Sequence, residues 1–222
     1  MKSVIITGGG SGLGAALAEE YGKQYKVILI GRSLKKLNSV ADSLNSQGIK
    51  ADCYSCDITS MDEVQHVFGP LFQREDVHML INNAGSGIFG PLVELSVDEI
   101  ETMLDTNIKG TIFTTKTSLP YFKERKEGKI MNIISTAGLR GKVNESVYCA
   151  SKFAVKGFTE SLVKELDGTG IQVTAVYMGG MDTPFWDHSD HVKDKSRFKT
   201  PEQVALQIAK EDQGKPEIFI DR

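Results

Sequence analysis

Long apolar runs are absent from this chain, and neither sign of charge dominates it. No apolar stretch approaches the roughly 18 residues of a membrane span, so no transmembrane helix is expected. Lysine and arginine total 26 against 29 aspartate and glutamate, and the net charge of −3 gives no electrostatic footprint for nucleic acid. The N-terminal apolar run, Ser3-Val4-Ile5-Ile6, is too short for a signal peptide and meets glycines at once, so a cytoplasmic setting is expected. Internal repeats, low-complexity tracts and linkers are lacking too. The 222 residues, 40% hydrophobic and 25% charged, suit a soluble protein with one sizeable core, and a single domain over 1–222 is expected.

Redox and metal signals are equally thin. Cys53-Tyr54-Ser55-Cys56 has thioredoxin spacing, but it lies on an extended segment where residues three apart face opposite ways. A redox pair needs a helix start, so no redox role is expected. Asp187-His188-Ser189-Asp190-His191 lacks a further ligand in ordered backbone and reads as a polar loop rather than a zinc site. Asn144-Glu145-Ser146 fits a glycosylation sequon that has no bearing in the cytoplasm.

What the chain does have is alternation. Short β-branched runs recur at Ser3–Ile6, Lys26–Ile30, His78–Ile81, Lys129–Ile134 and Ile171–Val176, with helical spacing between them, as in Val64, Val67, Phe68 and Leu71. The pattern predicts an α/β fold, a parallel sheet wrapped by helices on both faces.

The first strand runs into Thr7-Gly8-Gly9-Gly10-Ser11-Gly12-Leu13-Gly14, after which Leu13, Leu17 and Tyr21 keep helical spacing. Strand, glycine turn and helix start make a phosphate cradle, because glycine admits the pyrophosphate and helix N-terminal N–H groups face its charge. No Gly-Lys-Ser/Thr follows, which excludes a P-loop. A second absence is more telling. A carboxylate about 20 residues beyond the glycines would hold the ribose 2′-OH of NAD. Here the second strand ends in Gly31-Arg32-Ser33, and a guanidinium suits a 2′-phosphate, so NADP(H) is favoured over NAD(H).

Tyr148 and Lys152 are four residues apart in Tyr148-Cys149-Ala150-Ser151-Lys152, hence on one helix face. A phenol titrates near pH 10, and an ammonium within about 4–6 Å favours its ionised form. A fall of two or three units, roughly 3–4 kcal/mol, would make Tyr148 an acid or base near neutrality. Ser135, in Ser135-Thr136-Ala137-Gly138, could hold a substrate oxygen beside it.

With both ends in view the chain resembles the short-chain dehydrogenase/reductase family, in its compact single-domain branch. Thr7, Gly8, Gly12 and Gly14 match the family's Thr-Gly-x-x-x-Gly-x-Gly, and Asp57, Asn82-Asn83-Ala84-Gly85, Asn107, Ser135, Tyr148 and Lys152 follow in the family's order across 1–183. The resemblance implies a Rossmann-type, doubly wound parallel sheet of about seven strands with helices on both faces. It implies cofactor contacts from Gly8, Gly10, Ser11, Gly12, Leu13 and Gly14 in the turn, Arg32 and Ser33 after the second strand, and Asp57 and Ile58 after the third. Asn83, Ala84, Gly85, Gly179, Met181 and Thr183, with Tyr148 and Lys152, would complete that surface. It implies hydride transfer from NADPH to a carbonyl carbon, with Tyr148 protonating the oxygen, Ser135 bonding it, Lys152 lowering the Tyr148 pKa and Asn107 holding a relay water.

Three departures stand out. Tyr177 runs into Met178-Gly179-Gly180 where the family has Pro-Gly, Ser11 replaces a basic residue common in NADPH-using members, and the sequence ends at Glu217–Arg222, directly after the expected last strand. The substrate pocket is expected among Ser86–Pro91, Leu139–Val143 and a lid at about 180–200, with Phe185 and Trp186 as its apolar part. Arg140 and Lys142 could draw an acidic substrate or lie in solvent. The lid's shortness suggests a small or partly exposed carbonyl or alcohol. Other readings are a non-catalytic NADP(H)-binding sensor, a nucleotide-sugar epimerase or dehydratase, and a structural oligomer. The retained Asn107, Ser135, Tyr148 and Lys152 disfavour the first; glycine spacing and length disfavour the second. A homodimer or homotetramer, formed through the Tyr148 helix and its predecessor, is expected from the resemblance.

Overall fold

A computed structural model describes residues 1–183, 185, 191 and 198–220. Seven strands, β1 (Ser3–Thr7), β2 (Lys26–Gly31), β3 (Ala51–Ser55), β4 (Val77–Asn82), β5 (Gly128–Ile133), β6 (Ile171–Tyr177) and β7 (Glu217–Phe219), alternate with helices α1 (Gly12–Gly22), α2 (Leu34–Ser46), α3 (Met61–Arg74), α4 (Val97–Leu104), α5 (Thr111–Arg125), α6 (Ser146–Glu165) and α7 (Pro201–Glu211). All strands are parallel in the order β3-β2-β1-β4-β5-β6-β7. The expected doubly wound sheet is therefore the observed one.

Val4, Ile5 and Ile6 are buried in alternation on two faces: Val4 and Ile6 join one apolar core with α1, α2 and α7, while Ile5 joins the other with α3 and α5. Burial on both sides is why these strands read as continuous apolar runs. Helix starts are set by short polar caps. Ser33, Ser60, Ser96 and Thr200 each accept a hydrogen bond from the third helical N–H, and Ser96–Glu99 and Thr200–Gln203 are full capping boxes. The strand order reverses between β1 and β4, and loops that leave neighbouring strands on opposite sides open a crevice there. Among the described residues no helix is long and apolar enough to cross a membrane.

Candidate active site

The glycine turn leaves β1 at that crevice. Gly8 has φ +66°, and a Cβ at Gly14 would stand 2.2 Å from the Gly8 carbonyl oxygen, so a side chain at Gly14 would force the turn off α1. The Thr7 hydroxyl accepts from the N–H groups of Asn83 (3.0 Å) and Ala84 (3.1 Å), while the Asn83 amide donates to the Thr7 and Gly8 carbonyls. Asn83 thus pins the turn to the segment after β4. Ser11 precedes α1 but makes no side-chain cap, which leaves the first-turn N–H groups available to an anion. Leu13 and Met181 are buried in the core, so only their backbones can face a ligand; Thr183 lies against the turn, 3.3 Å from where a Gly12 Cβ would be.

Arg32 and Ser33 follow β2 at the surface, with the Arg32 carbonyl held by the Ser55 hydroxyl at 3.2 Å. Lys36 stands beside Gly10, its Cβ 3.2 Å from where a Cβ would project. The chain after β2 therefore carries cations and no carboxylate near the turn. Asp57 is half-buried, one oxygen taken by the Thr59 N–H and hydroxyl (3.0 and 2.8 Å), and Ile58 is buried against Gly110. Glycine turn and uncapped helix start fit the pyrophosphate of a nicotinamide dinucleotide.

Ser135, Tyr148 and Lys152 come together at the ends of β5 and α6. Ser135 has φ +140°, a backbone state few side chains adopt, and its oxygen accepts from the Ala137 N–H at 3.1 Å. Its hydroxyl stands near the buried Tyr148 phenol and favours the ionised form. The Lys152 ammonium donates to the Ile133 carbonyl at 3.2 Å and sits 5.7 Å from the Tyr148 ring centre. The sequence expectation of a lowered Tyr148 pKa is not met in this state. Burial raises it, the Ser135 hydroxyl offsets part of that, and Glu145 and Cys149 add to the rise. Burial also pushes Lys152 down to about 8, so the cation meant to act on the phenol is itself destabilised.

Asn107 lies on a π-helical turn, Asp105–Gly110, between α4 and α5, a distortion that recurs at functional sites. Both amide hydrogens and one side of the oxygen are taken up by protein. The amide donates to the Ser86 carbonyl and the Ser151 hydroxyl, both at 2.9 Å, and its oxygen accepts from the Ser86 N–H at 2.7 Å. Gly85 is close enough that a Cβ would lie 3.3 Å from the Asn107 oxygen and 3.6 Å from the Lys152 ammonium. Asn107 therefore ties the loop after β4 to α6.

On the side away from the glycine turn the phenol meets aromatic rings. Phe89 packs edge-on against Tyr148 with centroids 5.4 Å apart, and Phe185 lies 6.0 Å from both Tyr148 and Phe89. His191 stacks on Phe89 at 4.9 Å and pairs with the buried Glu145 at 3.0 Å. Phe89 falls within the expected pocket segment Ser86–Pro91, whereas Glu145 is signalled only as an acid just ahead of the Tyr148 helix. Trp186 and Asp187–Asp190 lie outside the described residues. Among the described residues no cluster of three potential metal ligands forms. Cys53 and Cys56 are free thiols, burial raises both, and Cys56 reaches about 11, against a redox role. The remaining expected contact, Gly179, follows Met178, whose carbonyl accepts from the Thr136 N–H at 2.8 Å, and so joins the loop after β6 to the Ser135 loop.

A family profile described as short chain dehydrogenase matches residues 2–194. An uncharacterized oxidoreductase of Staphylococcus epidermidis is 32% identical over 85% of this chain and 82% of its own length. One from Staphylococcus aureus is 36% identical over 82% of this chain and 79% of its own. Among solved structures, a variant actinorhodin polyketide ketoreductase with NADPH superposes with a TM-score of 0.89 at 29% identity, over 99% of this chain and 95% of that one. The closed form of a serine dehydrogenase complexed with NADP+ gives 0.88 at 29%, over 99% and 94%. Motif order, strand order and these likenesses agree, and the chain belongs to the short-chain dehydrogenase family of oxidoreductases.

Proposed function

We propose that this protein is an NADP(H)-dependent oxidoreductase that moves a hydride between the nicotinamide and a small carbonyl or alcohol, with Tyr148 as general acid and base. One observation carries the reading: a buried phenol near the Ser135 hydroxyl, with a lysine ammonium 5.7 Å from its ring centre, beside the crevice where the strand order reverses. When bound, the cofactor supplies or accepts the hydride. The raised pKa keeps Tyr148 protonated at neutral pH, the form needed to protonate an alkoxide, and Ser135 orients the same oxygen. Lys152, mostly charged at neutral pH, steadies the phenolate that this leaves. Because the Asn107 side chain is committed, its backbone carbonyl, already bonded by the Thr111 hydroxyl at 2.8 Å, is the group left to hold a relay water.

The preference for NADP(H) is supported by Arg32 just after β2, by Lys36 in the first turn of α2, and by the NADPH and NADP+ bound by the ketoreductase and serine dehydrogenase neighbours. The reading includes a cytoplasmic setting, where such cofactors are plentiful, and a homodimer or homotetramer. An apolar groove of about 350 Å³ on the outer face of α5 and α6, lined by Leu119, Pro120, Phe158 and Leu162, supports self-association.

Thermal shift with NADPH, NADP+, NADH and NAD+ tests the cofactor. A ligand at about 100 times its Kd stabilises the fold by roughly 2.7 kcal/mol. Stabilisation by the phosphorylated pair, lost in Arg32→Ala, is the expected result, with Tyr148→Phe keeping the shift and losing turnover. Equal shifts with all four would mean dual specificity, and none would overturn the reading.

A further inference from the structure

The ring of Tyr148 is flanked by two of the protein's own aromatic rings. Phe89 comes from the loop after β4 and Phe185 from the segment after β6, so two chain regions far apart in sequence meet over one hydroxyl-bearing ring. The backbone leaves little room for anything but rings. A Cβ at Gly87 would stand 2.4 Å from the Phe185 ring and 2.7 Å from the Phe89 ring. Beside the rings, Glu145 is paired with His191 at 3.0 Å and faces Lys142 at 3.7 Å.

A substrate that reaches Tyr148 packs beside these rings, and their chemistry decides what packs there best. An aromatic group gains edge-to-face contacts with them, about 0.5–1.5 kcal/mol per ring pair beyond area burial. A carboxylate or a polyhydroxyl chain would give up solvation against the same ring faces. We infer that the substrate is a carbonyl compound bearing an aromatic ring, and that Phe89 and Phe185 are its specificity-determining residues; the inference rests on the oxidoreductase reading above. In the reducing direction the carbonyl carbon gains the hydride and its oxygen gains the Tyr148 proton, leaving an alcohol and oxidised cofactor.

Three methyl ketones that differ only in the group beside the carbonyl make the test: phenylacetone, pyruvate and hydroxyacetone, each with NADPH. Phenylacetone should show kcat/KM about tenfold or more above the other two, since differences of this size arise from apolar pocket contacts. Phe89→Ala should lower the ratio of the phenylacetone to the hydroxyacetone value by about tenfold, with Phe89→Tyr restoring the preference. Phe185→Ala serves as the second variant, and calorimetry of phenylacetone on NADP+-loaded Tyr148→Phe measures binding without turnover. Preference for pyruvate or hydroxyacetone, or an equal effect of Phe89→Ala on all three, would overturn the inference. Turnover of none of them by a protein that NADPH stabilises would overturn the substrate class alone; absence of that stabilisation as well would overturn the oxidoreductase reading with it.

Discussion

At Tyr148 and Lys152, burial competes with charge pairing, and in this state burial prevails. Spacing along a helix brings a phenol and an ammonium to one face, but it says nothing about how far both sink below the surface. With Lys152 lowered from 10.5 to about 8, the unfolded chain holds that proton more tightly than the folded one between those values. Stability from this group therefore rises with pH across the window and is lost as pH falls through 8. The slope contributed is at most about 1.4 kcal/mol per pH unit. Chemical denaturation at pH 8, 9 and 10 should show wild type gaining on Lys152→Met by that trend. A parallel pair of curves would mean that Lys152 is not desolvated.

Among the elements, α5 and α6 are held by a polar network inside the core. Asn82 at the end of β4 donates to Thr115 at 3.0 Å and to Asn132 on β5 at 2.8 Å, and accepts from Thr114 at 2.7 Å. Asn132 passes the chain on to Thr159 of α6 at 2.9 Å. All five side chains are buried, so each lost partner strands a polar group. Thr159 shares a helix face with Lys152, and Asn132 precedes the Ile133 carbonyl that anchors the Lys152 ammonium. Asn132→Ala and Thr159→Val should each destabilise by about 1–3 kcal/mol, and the double variant by clearly less than their sum. Additive losses in denaturant midpoints would show that the two do not act as one unit. The same network explains why α5 defies sequence reading. Its buried residues are Thr111, Thr114, Thr115, Ser118 and Phe122, four of the five polar, and Pro120 lies within it, so no apolar period marks it.

Over the whole molecule, strand order does what no local motif can. Placing β4 beside β1 brings the Asn83 segment onto the Gly8 turn, and placing β5 and β6 next in line sets Ser135 and Gly179 along the same crevice. The outer groove of α5 and α6 belongs to this scale too, because packing between two long helices creates it. If copies associate there, Phe158→Glu should shift the protein toward monomer in sedimentation velocity without loss of folded structure. An unchanged assembly would remove that face from consideration.

The sequence by itself determined the strands, the glycine turn and the Ser135, Tyr148 and Lys152 set. Strands buried on both faces must be continuously apolar, backbones in close approach must be glycine, and the proton transfer proposed for that set admits few other side chains. The π-turn at Asn107 left no such trace, since an extra residue in a helical turn changes hydrogen bonding without a pattern of residue types. The pairing of Phe89 with Phe185, the protonation balance at Tyr148 and the commitment of the Asn107 amide were decided only by the tertiary structure. Each depends on which distant segments meet and how much water they exclude, and neither is carried by local sequence.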